Sequence, residues 1–417
     1  MQTRKSHSKS RNGCETCKRR RVKCDEQGPP CANCVIRKTP CNYIRSIDMR
    51  HLAAPPQATT SSSAGSSPGS ASASASTSAS ASGLTSASTS TLESTSVPSA
   101  ESSSLRLLEL ELMHRWSTST YKSVCSIASE EHLLKVTVPR DALKHPYLLD
   151  CVFAFAALDL AVASPEPADQ ASYARAGLDY HDRALRGFHA ELGNIAPENH
   201  LPIFIVSTLL LPLNIARPQL VPAGGDRPRI SARDSVLALF DLMACTALVA
   251  TTTWDLLEAG PVQTRAWINQ DVPVHLLDAG TKAAVARLHA LNDGHRRDGP
   301  EAAAHESYQT KILHLEGCFA RDIEASVKGS CLAWVGLTRG DFAEKFRRAE
   351  PLALIIMMHW GVLVENLGRE AWWANQAGRN LVMELSGELQ KLGFDSLPVW
   401  QESISWTRQQ VGLPPLV

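Results

Sequence analysis

The sequence predicts a mostly α-helical protein in three parts: a small cysteine-bound head, a disordered Ser/Ala/Thr-rich linker and a large all-helical body. Three observations point there. Six of the 11 cysteines fall between Cys14 and Cys41. From Ala58 to Ser104, 42 of 47 residues are Ser, Thr, Ala, Gly or Pro, and none is Lys or Arg. From Leu105 onward, apolar residues recur at three- and four-residue spacing, and strand-like alternation is nearly absent.

The head is basic. The chain carries 42 basic and 42 acidic residues, but its first 50 residues hold 13 Lys/Arg against 4 Asp/Glu. A basic head on an acidic body points to a polyanionic partner for the head. Met1 to Arg11 is polar and basic, unlike a secretory leader, so a reducing compartment is expected. There, clustered thiols bind metal rather than pair as disulfides.

The cysteine spacing is Cys14-x2-Cys17-x6-Cys24-x6-Cys31-x2-Cys34-x6-Cys41. It is one half repeated. Thiolates two residues apart on a turn reach one tetrahedral zinc. Six thiolates cannot give two zincs four separate ligands each. Either two of them bridge a binuclear cluster, or one zinc leaves two thiols spare; the symmetric spacing favours the cluster. Lys18-Arg19-Arg20-Arg21-Val22-Lys23 lies between Cys17 and Cys24. It is expected to form a short helix pinned at both ends by metal-bound thiolates. Arg and Lys on such a helix read guanine O6 and N7 in the major groove. A segment this small folds by metal binding rather than by core burial.

These residues, with Asp25 after Cys24 and Pro29 before Cys31, resemble the fungal zinc binuclear cluster domain. The resemblance implies two Zn2+ held by Cys14, Cys17, Cys24, Cys31, Cys34 and Cys41. It makes Cys14 and Cys31 the bridging ligands, with Cys17 and Cys24 completing one zinc and Cys34 and Cys41 the other. It also implies double-stranded DNA with a CGG-like triplet as partner. Arg20 and Arg21 would approach the bases, and Lys18 and Lys23 the phosphates, with Arg19 in the same run.

The Ser/Ala/Thr stretch has almost nothing to bury and so cannot offset the entropy of ordering. In the body, Leu105, Leu108, Leu112 and Trp116 mark one face of an opening helix. Asp169 is expected to cap a helix running to Leu192, with Tyr173, Leu178, Leu185, Phe188 and Leu192 turned inward. Ser231 is expected to cap the next, through Val236, Leu239, Phe240, Met243 and Leu248. Glu301–Ala325 and Phe342–Leu367 repeat the pattern, and Ala216–Arg229 and Asn292–Pro300 read as breaks. The division is a basic arm (1–13), the cluster (14–41), the linker (42–104) and the helical domain (105–417). No membrane span is expected: Asp150 and Asp159, or Pro202 and Pro212, interrupt the most apolar runs.

His145-Pro146-Tyr147-Leu148-Leu149-Asp150, running into Ala154–Ala161, resembles the fungal-specific transcription factor domain. The nearest subgroup is the sterol uptake control type, with the similarity clearest from Leu105 to Leu213. That resemblance implies a regulatory domain holding a small hydrophobic ligand such as a sterol. Ile203–Leu213, Val236–Val249 and Leu352–Val364 are the candidate cavity walls, against their plain reading as core helices. No nucleophile elbow, histidine metal pair, phosphate loop or dinucleotide fingerprint is present, so no enzyme is expected. His181-Asp182 and His359-Trp360 read as surface or core residues, and the five other cysteines as small buried hydrophobes. Residues 42–57 carry no heptads; a monomer on one site and a homodimer through the helical domain both fit.

The expectation is a nuclear DNA-binding regulator of RNA polymerase II transcription working with coactivators. Activation of a secondary-metabolite gene cluster or of sterol genes is favoured. The alternatives are a zinc-dependent RNA- or partner-binding adaptor, and a ligand-sensing helical protein with an accessory zinc module.

Overall fold

The computed structural model describes residues 15–20, 22, 24, 31–37, 100–220, 230–253, 274–294, 301–324, 328–338 and 340–416. The chain divides into two compact units, 1–54 and 55–417. The described residues form helices and turns, with no strand among them.

The first unit holds two short helices, α1 (Glu15–Arg19) and α2 (Ala32–Arg37). The second opens with α3 (Ala100–Thr118), which takes in Ala100–Ser104, placed in the linker by the sequence reading. The expected opening face turns inward only gradually. Leu105 is 49% exposed, whereas Leu112 and Trp116 are fully buried. Trp116 meets Phe155 edge-on and donates its indole N–H to the Leu134 carbonyl at 2.9 Å. After α4 (Val138–Ala142) come α5 (Pro146–Ala163) and α6 (Pro167–Glu191), packed on each other along their length. Two glycines permit that approach. A Cβ on Gly177 would lie 2.6 Å from Leu158, and one on Gly187 2.7 Å from Tyr147.

Asp169 sits in the first turn of α6 rather than at its cap. Pro167, already shaped for a first helical position, sets the start three residues earlier, with Glu166 as the flanking residue. Leu178, Leu185 and Phe188 are buried as expected, while Tyr173 and Leu192 are half-buried. Buried Asp159 pairs with Arg115 at 2.9 Å and accepts the Thr120 hydroxyl at 2.6 Å. The carboxylate is therefore tolerated inside an apolar helix.

Next come α7 (His200–Leu220) and α8 (Ala232–Thr252). Pro212 and Pro218 lie inside α7, and Ala216–Leu220, read as the start of a break, are helical; the rest of that expected break lies outside the described residues. Packing on both sides holds the helix across the lost N–H. Ser231 caps α8 as expected, accepting the Asp234 N–H at 2.9 Å. Along α8, Val236, Leu239 and Phe240 are buried; Met243 is half-buried and Leu248 is exposed. Asn214 and Ser235 lock the pair: the Asn214 amide donates to the Ser235 carbonyl at 2.7 Å, and the Ser235 hydroxyl to the Asn214 carbonyl at 2.9 Å.

The chain continues through α9 (Ala279–Asp293), α10 (Glu301–Glu324) and α11 (Ser330–Thr338). The expected single helix over Phe342–Leu367 is instead two, α12 (Asp341–Arg347) and α13 (Pro351–Leu367), bent by 101°. Pro351 restricts the residue before it to extended backbone, and Ala349 takes a left-handed φ of 56°. Almost every residue of α13 is buried, making it the centre of this unit. Then α14 (Ala377–Lys391) crosses it with backbone against backbone: a Cβ on Gly378 would lie 2.0 Å from the Gly361 carbonyl oxygen. The last helix is α15 (Pro398–Gln410).

By length and composition α5, α7 and α8 reach what a membrane span needs, as does the bent α12–α13 pair taken as one. The acids and prolines invoked against this do not break the helices. In the fold, 67% of the α5 stretch and 78% of the α7 stretch are buried, so other helices already cover those apolar surfaces.

Candidate metal centre

In the first unit, α1 begins one residue after Cys14 and α2 one residue after Cys31, so the repeated spacing produces a repeated backbone. The Arg20 and Val22 amides bond back to the Thr16 and Cys17 carbonyls, each at 3.1 Å, and the Cys34 amide to the Cys31 carbonyl at 2.9 Å. Cys17, Cys24, Cys31 and Cys34 are all buried and form a small core of sulfur alone.

The Cys17, Cys24 and Cys31 sulfurs lie within 4.8 Å of one another, and Cys17 and Cys31 are 3.6 Å apart. A disulfide needs ~2.05 Å. Thiolates around one tetrahedral zinc, with Zn–S near 2.3 Å, are roughly 3.8 Å apart. The three side chains therefore fit one zinc and are not paired with each other. This trio belongs to a single ion under the ligand division that the sequence resemblance implies.

The helix expected over Lys18–Lys23 differs from the structure. Helix α1 spans Glu15–Arg19, Arg20 turns, and Val22 and Cys24 are non-helical. Geometry explains the change. A helix rises about 1.5 Å per residue, so seven residues of helix would hold the Cys17 and Cys24 sulfurs roughly 10 Å apart. The chain must leave the helix for both to reach one ion. Arg19 and Arg20 are exposed at the point of departure. Cys14, Arg21, Lys23 and Cys41 lie outside the described residues, as does the side chain of Lys18.

In the second unit, an apolar cavity of about 380 Å³ opens between α7, α8, α11 and the segment before α4. Phe204, Ile205, Leu209 and Pro212 line it from one expected wall, and Met243 and Thr246 from another. The third expected wall, Leu352–Val364, lies in the core instead.

His359 is fully buried. Its Nδ1 bonds to the Ile355 carbonyl at 2.8 Å, and its ring stacks on Trp406. Burial lowers its pKa to about 4. His181 is also buried, 3.3 Å from its neighbour Asp182. Cys151, Cys245, Cys318 and Cys331 are buried and Cys125 is half-buried. Burial pushes the Cys245 thiol up to about 11 and Cys318 to about 12, and raises Cys151 and Cys331 as well. Such thiols favour the protonated form, as small buried hydrophobes do.

Residues 12–50 match the family described as the fungal Zn(2)-Cys(6) binuclear cluster domain, which binds two zinc ions. The chain is 32% identical over 234 residues to a Zn(2)-C6 fungal-type transcription factor of Gibberella zeae, a match covering 50% of this chain and 47% of that one. It is 29% identical over 209 residues to the Zn(2)-C6 fungal-type transcription factor afumD of Aspergillus fumigatus, again 50% and 47%. Sterol uptake control protein 2 of Candida albicans is 66% identical over 41 residues, 10% of this chain and 6% of its own. That last likeness covers the cluster region, not the 105–213 stretch where the sequence reading placed it. The chain spans about half the length of the first two relatives. Their names are those of transcription factors, not of enzymes.

Proposed function

We propose, on the premise that residues 12–50 form a fungal Zn(2)-Cys(6) binuclear cluster domain, that this chain is a nuclear, sequence-specific DNA-binding regulator of RNA polymerase II transcription. The observation that carries the reading is the convergence of the Cys17, Cys24 and Cys31 sulfurs directly beside two exposed arginines, Arg19 and Arg20. Six thiolates, Cys14, Cys17, Cys24, Cys31, Cys34 and Cys41, share two zinc ions, with Cys14 and Cys31 bridging. The metal fixes the turn at Arg20, so side chains of the Lys18–Lys23 run arrive at DNA already ordered. Arginine donating to guanine O6 and N7 gives a CGG-like triplet its specificity, and the lysines hold phosphates.

The functional division proposed is 1–13, 14–41, 42–104 and 105–417, with α3 reaching back across the last boundary to Ala100, and with coactivators and a second copy of the chain as partners of the last part. Activation of a secondary-metabolite gene cluster, or of sterol genes, is the pathway reading; the name of one relative, sterol uptake control protein 2, supports the sterol half through the cluster region. Selection from random duplexes with the full chain tests the proposal. An enriched CGG-containing site, lost on chelation, is the expected result. Zinc binding without any enriched duplex would overturn it in favour of an RNA- or partner-binding adaptor.

A second reading concerns control. The apolar cavity is of a size that binds small molecules, and two expected walls line it. It is the place for a small hydrophobic effector such as a sterol. Mass spectrometry of lipids carried by the purified full chain checks this: a stoichiometric apolar lipid supports it, and none argues against it.

A further inference from the structure

The apolar cavity does not stand alone. A second cavity of about 470 Å³ lies against it, and both are lined by Cys125, Ser126, Ile127, Lys328 and Gly329. The remaining walls of the two differ. One is hydrocarbon from α7, α8 and α11. The other carries Lys122, Glu131, Asp322, Asn366 and Glu370.

The partition includes the non-helical strip Cys125–Ile127, tied at Ser126 and, just before it, at Ser123. The Lys328 N–H donates to the Ser126 carbonyl at 3.1 Å, and the Trp373 indole to the Ser123 carbonyl at 2.9 Å. Resting on the reading that the apolar cavity holds an effector, we propose that this effector is an amphiphile. Its apolar body fills the α7–α8–α11 chamber, and a hydrogen-bond-donating head without negative charge, a hydroxyl or an amine, passes the strip into the polar chamber.

The head chemistry follows from what the second chamber offers. Its carboxylates, Glu131, Asp322 and Glu370, outnumber its ammonium groups, Lys122 and Lys328. Lys328 is engaged with Glu370 at 3.4 Å. Asp322 accepts a bond from the Asn366 amide at 2.9 Å; Glu131 accepts one from the Tyr121 hydroxyl at 2.8 Å and lies 3.9 Å from the Lys135 ammonium. Each carboxylate accepts more bonds than these, so acceptors are in surplus. At the strip itself, burial and then the charges of Glu130 and Glu131 raise the Cys125 thiol pKa, as a locally negative potential should. A carboxylate head would face an excess of carboxylate over ammonium in this lining, with exposed Lys122 as its counter-charge.

Equilibrium binding of hexadecanol, hexadecylamine and hexadecanoate to the full chain, below their aggregation thresholds, tests this. The three share one apolar chain and differ only in the head. The alcohol and amine should bind one to one, and the acid about tenfold or more weakly. The double variant Asp322→Asn with Glu370→Gln should bring the acid up to the others. Thr246→Trp, or Ala333→Phe if that variant does not fold, should abolish binding of all three.

Equal binding of the three heads, unmoved by the double variant but lost on filling the apolar chamber, would overturn the head assignment and leave the apolar site standing. Acid binding tightest would overturn it too. No binding of any probe to the wild-type chain would overturn both. Binding that survives the filled chamber would place the ligand elsewhere and do the same.

Discussion

Cysteine is buried in both units of this molecule, with opposite chemical results. In the first unit Cys17, Cys24, Cys31 and Cys34 are buried and form one cluster, with no other apolar side chain in it among the described residues. In the second, Cys151, Cys245, Cys318 and Cys331 are buried in the helical core, Cys318 and Cys331 near one another, and burial is the main cause that raises their pKa values. Three sulfurs converge closely enough to hold an ion in the first unit, and no such group forms in the second among the described residues. What differs is the company: convergence allows one ion to neutralise several thiolates, whereas isolation leaves the charge unpaid for in a low-dielectric interior.

Removing zinc is the strongest way to break this comparison. Structural zinc sites of this kind carry roughly 10–16 kcal/mol of apparent binding free energy. Chelation should unfold the first unit and abolish DNA binding while leaving the thermal transition of the helical unit in place. Cys31→Ser should do the same, read by zinc stoichiometry and duplex binding.

The next largest effect belongs to the helical unit alone. His359 titrates near 4 in the fold against an ordinary 6.5. Between those values the unfolded chain binds the extra proton. Stability is therefore complete above pH 6.5 and falls as the pH drops toward 4, by about 3 kcal/mol over the window. Denaturant unfolding at a series of pH values should show that slope, and His359→Gln should flatten it.

Cys331→Ser sharpens the contrast between the cysteines. It buries a hydroxyl in place of a thiol and should cost about 1–3 kcal/mol of helical-unit stability with no change in zinc content. Arg20→Ala should do the reverse. It should weaken duplex binding by about 1–3 kcal/mol and relax the preferred site, with zinc content and stability unchanged. The smallest effect is expected at half-buried Cys125, where Cys125→Ser should stay within about 0.5 kcal/mol by denaturant titration.

The convergence of Cys17, Cys24 and Cys31 was legible because spacing along the chain is itself the signal. Two residues between cysteines means one turn, and that constraint is local. The helix over Lys18–Lys23 was misplaced for the opposite reason: the requirement that Cys24 return to Cys17 and Cys31 is set by the ion and not by propensity. Ser231 was read correctly from a local cap, while Asp169 lost to Pro167, which fits the first turn better. Pro212 looked like a break because its environment is invisible in one dimension; neighbouring helices hold α7 together across it. The polar chamber left no trace in the pattern at all. Its wall gathers Lys122, Glu131, Asp322 and Glu370 from three separate stretches, each an ordinary surface residue on its own.

The crossing of α13 and α14 has a consequence for how this chain can vary. A single methyl group at position 378 would sit 2.0 Å from the Gly361 oxygen and 2.5 Å from the Glu365 nitrogen, both main-chain atoms that cannot rotate aside. Drift at that codon is blocked however freely nearby surface positions diverge. An unchanging glycine there among homologues would record a steric limit, and should not be mistaken for a trace of recognition or chemistry.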